Sequence, residues 1–172
     1  LSIIAEKVDD NQYLAAIKNA FTAYMPFVIA GSFGTLFNNL ICNTSYGLAA
    51  LVPWFENLKP AFTAVNFCTL SLMTLPIVYL IAANLAKHDK QPEHVMGISA
   101  LVAYVTVVPQ VVSVVVDGTS ASASGLSSSV LGAQGLFVGM FIAIVSEKLM
   151  SKLYFVVLKK SIVFIIFFKK TI

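Results

Sequence analysis

Residues 61–86 contain no charged side chain, and neither do residues 95–116. A helix rises about 1.5 Å per residue, so roughly 20 apolar residues cover the ~30 Å hydrocarbon core of a bilayer, and each run is long enough to cross as one helix. That feature sets the solvent: a chain built from such runs folds against lipid. Composition agrees, because 58% of residues are hydrophobic and 11% charged, whereas soluble domains carry about 25% charged residues to cover their surface.

The charge pattern excludes several function classes. The net charge is +3 and every basic residue is a lysine. These lysines stand in short gaps between apolar runs, not on a clustered basic face with interleaved aromatics, so nucleic-acid binding is excluded. Cys42 and Cys68 lack metal-ligand spacing, and Cys68 falls inside an apolar run, where a thiol behaves as a small hydrophobe. No metal and no cofactor is expected. A secretory signal peptide is not expected either, since no basic segment precedes a short apolar stretch and cleavage site.

Along the chain, residues 1–12 read as an interfacial segment, with Ile3, Ile4 and Val8 at helical spacing among charges. Asn11 is placed to cap a helix running from Gln12 through Leu40, kinked near Pro26. Residues 42–60 read as a loop along the headgroups, anchored by Trp54. The second span covers 61–86 and includes Pro76; residues 87–94 form a polar turn. The third covers 95–116, with a break at Pro109, and residues 117–129 form a flexible Gly/Ser/Ala linker. The fourth, 130–145, is short. Lys7 and Lys18, then Lys87 and Lys90, then Lys148 and Lys152 fall in every other connection and so on one side, which places the N-terminus and the C-terminal end in the cytoplasm. The expected fold is therefore an all-α integral membrane protein of about four transmembrane helices plus an N-terminal interfacial helix. The transmembrane portion is 13–154. Residues 155–172 form a low-complexity tail of Phe, Ile, Val and Lys, read either as frameshifted or truncated sequence or as a lysine-bounded interfacial tail.

Polar groups at bilayer depth are the candidates for chemistry: Asn66, Thr69, Ser71, Thr74 and Asn84 in the second run, Tyr104, Thr106 and Gln110 in the third, Gln134 in the fourth. Taken singly, each is expected to bond to a neighbouring helix. As a set, Asn66, Thr69 and Ser71 offer an amide and hydroxyls without ionised groups, which suits a neutral, hydroxyl-rich solute. Gly132, Gly135 and Gly139 are a close-packing signal within or between subunits, and Gly135 to Gly139 is a GxxxG pattern. No phosphate-binding loop is indicated, because no lysine follows at the required place and no strand precedes. His88 and His94 belong to a solvated turn. The four spans hold no Asp, Glu, Lys or His, which argues against an ion-coupled carrier.

Several segments resemble a known family. Ile4-Ala5-Glu6-Lys7, Tyr13 through Phe21, Met25-Pro26 and Ile29 through Phe33 resemble the N-terminal segment of the lactose/cellobiose/diacetylchitobiose family of phosphotransferase-system IIC permeases. So do Leu70 through Met73, Thr106 through Pro109 and Leu131 through Val138. The resemblance implies a homodimeric permease of the bacterial plasma membrane that binds a β-linked disaccharide. It would hand the sugar to a IIB partner, itself phosphorylated by IIA. It also implies that this chain is the N-terminal portion, inactive alone, with the main sugar site beyond it. By the same resemblance Asn66 is the substrate-binding candidate, and Gly132, Gly135 and Gly139 have packing or dimer roles. No catalytic residue is found. The alternatives are a small four-span assembly or structural protein and an intramembrane enzyme; the enzyme lacks a nucleophile, metal cluster or acid pair.

Overall fold

The computed structural model describes the backbone of residues 11–116 and 119–171 and the side chains of residues 11–113 and 122–154. The expected interfacial segment lies almost wholly outside the described residues.

Helix α1 runs over Gln12–Leu40. Its start is set by Asn11, whose Oδ1 accepts from the amides of Tyr13 and Leu14 at 3.0 and 3.5 Å, satisfying two of the donors every helix leaves free at its N-terminus. Short 3-10 turns at Leu48–Ala50 and Pro53–Leu58 follow, with Trp54 exposed. Next come α2 (Lys59–Asn66), a π-turn (Phe67–Ser71), α3 (Thr74–His88) and α4 (Glu93–Val107). Strands β1 (Val111–Val116) and β2 (Thr119–Ser124) form an antiparallel pair in which Val111 faces Ser124 and Val116 faces Thr119. A single turn, α5 (Ser128–Leu131), and a 3-10 turn at Ala133–Gly135 lead into α6, Leu136–Thr171.

Three expectations are corrected. The 61–86 run is not one unbroken α-helix: Pro76 has no amide for the Leu72 carbonyl, and the chain turns at Leu72 before α3 starts. The third run stops being helical at Val107, because Pro109 forces Val108 into an extended conformation (φ −73°, ψ 139°). Beyond it, the β-branched residues of 111–116 form a strand, and the supposed flexible linker supplies its partner. Among the described residues the fold is therefore mostly helical, with one antiparallel hairpin added to the helices of the expected all-α class. The fourth run is broken at Gly132, so its long helix starts only at Leu136. Among the described residues, two helical stretches are long and apolar enough to cross a membrane, Gln12–Leu40 and Pro53–His88.

Small residues (Ala16, Ala20, Ala82, Ala86, Ala100, Ala143) share the buried positions with Ile77, Ile81, Leu85, Met96 and Tyr104, while Phe27, Phe33, Leu36, Phe137, Phe141 and Leu149 stand exposed. Where lipid supplies the apolar surroundings, large side chains gain nothing by turning inward, and small ones let helices approach. Helices α3, α4 and α6 pack mutually, and α1 lies against α3.

Candidate functional site

Two interrupted helices meet in this structure, and their open backbone is closed by side-chain hydroxyls. The first interruption is the stretch from Phe67 to Met73. It frees carbonyls, and the one on Thr69 accepts from the Tyr24 hydroxyl of α1 at 2.6 Å. The Leu72 carbonyl takes the Leu75 amide at 3.3 Å instead of the donor that Pro76 lacks.

The second interruption runs from Ser127 to Gly135. Ser127 caps α5 through its side chain, and Gly132 then extends the backbone at φ −87°, ψ −161°. Thr74, at the start of α3, donates to the Gly132 carbonyl at 2.6 Å in a fully buried position. Tyr104 of α4 donates to the Val130 carbonyl. A Cβ added to Gly132 would lie 3.6 Å from the carbonyl oxygens of both Leu70 and Ser71, so the two breaks lie against one another. Unpaired backbone groups cost several kcal/mol each in hydrocarbon, which is why non-helical backbone survives there only when protein or a wet cavity encloses it.

The glycines show how close this packing is. A Cβ on Gly139 would meet Thr74 Cγ2 at 2.7 Å and Val78 Cγ2 at 2.8 Å. One on Gly135 would collide with the Val130 carbonyl and the Tyr104 hydroxyl. All three glycines therefore make close approaches inside the chain, and Gly135 lies in the 3-10 turn, outside the helix that holds Gly139.

Beside the second break is a cavity of about 240 Å³, bounded by Tyr104, Val108, Pro109, Ser129, Gln134 and Val138. Its wall is mainly apolar, with the Gln134 amide and the Ser129 hydroxyl as polar groups. Asn66 lies elsewhere, on the last turn of α2, where its side-chain amide donates to the Thr35 hydroxyl of α1. Thr35 lines an open groove with Ser32, Asn39 and Leu70. The hydroxyl of Thr69 bonds back to the Val65 carbonyl at 2.7 Å. Asn66, Thr69 and Ser71 are thus distributed: Asn66 faces the α1 stripe, while Ser71 backs onto Gly132. Thr106 and Gln110 bond to carbonyls of their own segment, at Val102 and Val105.

At the far end of the bundle, Lys148 forms an ion pair with Asp89 in the turn joining α3 and α4. The Lys148 hydrogen bond is the chief reason the Asp89 carboxyl is held below its ordinary value; burial opposes it, and His88 adds to the lowering. His94 bonds to the Tyr79 hydroxyl at 2.7 Å, and His88 faces Asp89 at 3.2 Å. Glu147, which sequence reasoning passed over, is completely buried. A signal was available, because Glu147 continues the four-residue spacing of Gly135, Gly139 and Ala143 and so lies on the same inward stripe. Among the described residues, no three His, Cys, Asp or Glu side chains are grouped to hold a metal.

The chain matches the family model "Phosphotransferase system, EIIC" over residues 18–171. Two similar curated proteins come from Bacillus subtilis (strain 168). The lichenan permease IIC component is 27% identical over 171 residues, which is 94% of this chain and 35% of that protein. The PTS system oligo-beta-mannoside-specific EIIC component is 26% identical over 147 residues, which is 85% of this chain and 32% of that protein. Among solved structures, the transporter ChbC, the IIC component of the N,N'-diacetylchitobiose-specific phosphotransferase system, superposes with a TM-score of 0.74 at 30% identity. That match covers 94% of this chain and 37% of ChbC. The chain thus spans about a third of the length of the curated relatives it matches.

Proposed function

Because this chain belongs to the phosphotransferase system EIIC family, we propose that it forms the N-terminal transmembrane portion of a sugar permease in the bacterial plasma membrane. The intact permease translocates a β-linked disaccharide such as cellobiose, lactose or diacetylchitobiose. A IIB subunit, recharged by IIA, phosphorylates the sugar as it reaches the cytoplasm. The names of the relatives, which concern lichenan, oligo-β-mannoside and diacetylchitobiose systems, support a β-linked oligosaccharide as substrate. The chain crosses the membrane several times with its N-terminus inside, as the lysine alternation suggests. The permease works as a homodimer in contact with membrane lipid.

The observation that carries this reading is the pair of facing helix breaks. A bundle that only scaffolds other proteins has no need of non-helical backbone at bilayer depth. Transporters place such interruptions where solute passes or where the structure flexes. In this proposal Asn66, bonded to Thr35, presents an amide to sugar hydroxyls, and Gly132, Gly135 and Gly139 hold α6 against α3 and α4.

The test is phosphoenolpyruvate-dependent phosphorylation of labelled cellobiose, lactose and diacetylchitobiose by vesicles carrying the intact permease with IIA and IIB. Accumulation of one phosphorylated disaccharide, lost when the segment equivalent to residues 11–154 is deleted, is the expected result. Phosphorylation that persists without this segment, or that never occurs with any of the three sugars, overturns the proposal.

A further inference from the structure

Glu147 is buried with no exposed surface, and neither carboxyl oxygen accepts a hydrogen bond. The covering is the chain's own. Glu147 lies past the fourth uncharged run, level with the 87–94 turn, because the adjacent Lys148 reaches Asp89 in that turn. Among the described residues, the nearest cation is the Lys148 ammonium, 3.6 Å from Oε2. That ammonium is already committed: it bonds to Asp89 Oδ2 and stands 5.5 Å from the centre of the Tyr13 ring.

Among the described residues, the surrounding charges are few. From α1 come Tyr13 and the exposed Lys18. The α3–α4 turn brings Asp89, whose Oδ1 is 3.2 Å from His88, together with exposed Lys87 and Lys90. Helix α4 contributes Glu93 and His94, both exposed, and α6 contributes Lys148 and exposed Lys152. The charges that act on Glu147 are Lys148 and Asp89. Burial pushes its carboxyl above the ordinary range; Lys148 pulls the other way, and Asp89 adds to the rise.

We infer that Glu147 is a proton site: neutral in the resting fold, it draws Lys148 away from Asp89 on ionising, so two carboxyls and one lysine form a pH-dependent latch on the α3–α4 turn. The proton leaves to water, and no other group changes its bonds. A bare carboxylate is not tolerated in this position, so the anion recruits the Lys148 ammonium 3.6 Å away. Asp89 is then left with His88, 3.2 Å from its Oδ1. The turn loses its tie to α6 as pH rises. In strong acid the same tie fails for a different reason, when Asp89 itself is protonated.

The test uses the full chain in lipid nanodiscs, with infrared difference spectroscopy on ¹³C-glutamate-labelled protein and amide exchange of residues 87–91 corrected for intrinsic rates. At neutral pH the wild type is expected to show a protonated glutamate band that is absent in Glu147→Gln. Exchange of the turn is expected to quicken by up to about tenfold per pH unit beyond the midpoint, the limit for one coupled proton. Glu147→Gln should abolish that response and His88→Gln should leave it in place. A wild-type chain with no protonated glutamate at neutral pH overturns the inference without need of a variant. So does a Glu147→Gln chain whose turn responds to pH as the wild type does.

Discussion

The Thr74 hydroxyl donates to the carbonyl of Gly132 across 2.6 Å, and 58 residues of chain separate the two. The bond joins the first turn of α3 to the point where the fourth run loses its helix. One interruption thereby closes the other.

Replacing Thr74 by Val keeps the shape and removes the donor. The Gly132 carbonyl then keeps only the Gly135 amide, 3.1 Å away, and loss of the buried hydroxyl bond costs about 0.5–1.5 kcal/mol. Thermal unfolding in detergent should show the loss for Thr74→Val and near-complete recovery for Thr74→Ser. Equal melting of Thr74→Val and wild type would remove this bond from the account.

Gly135→Leu places a side chain against the Val130 carbonyl and the Tyr104 hydroxyl. Neither neighbour can withdraw without breaking its own hydrogen bond, so the cost should exceed the 1–3 kcal/mol usual for overpacking. Size-exclusion profiles should show aggregation or loss of the assembled peak. Gly125→Ala is the control, because its nearest neighbour would be Val112 Cγ2 at 3.6 Å, an ordinary contact.

In the intact permease, Asn66→Ala is expected to weaken sugar binding by about 1–3 kcal/mol, the penalty for sugar hydroxyls left unmatched. Isothermal titration with the transported disaccharide is the measurement. Unchanged affinity would confine Asn66 to its structural bond with Thr35.

Acid should weaken the bundle end through Asp89. Its folded carboxyl is held below the ordinary value of 3.8, first by the Lys148 hydrogen bond. On the acid side, stability from this ion pair is therefore lost as pH falls from about 4 through the lower folded value. Lys148→Met should flatten that acid limb in unfolding curves taken from pH 5 downward. An unchanged limb would assign the acid sensitivity to other groups.

Much of this was readable along the chain. Asn11 announced the start of α1 because a cap is a local bond between neighbours in sequence. The uncharged runs announced lipid, since solvent preference sums over residues whatever their partners. Pro109 marked the right place for a break, yet the form that followed was misjudged. A valine run beside apolar helices reads as more helix, and only the Ser/Ala strand paired to it shows otherwise. Asn66, Thr69 and Ser71 were grouped because they are close in sequence; the π-turn rotates them toward different neighbours.

Local terms such as caps, prolines, apolar length and the glycine spacing were settled residue by residue, because each depends on atoms within a few positions of itself. The meeting of the two breaks, the pairing of the hairpin and the burial of Glu147 depend on contacts between distant segments. Their free energies exist only once the helices are packed. A carboxylate that looks like a boundary charge in one dimension becomes a covered acid when α6 turns its small-residue stripe inward.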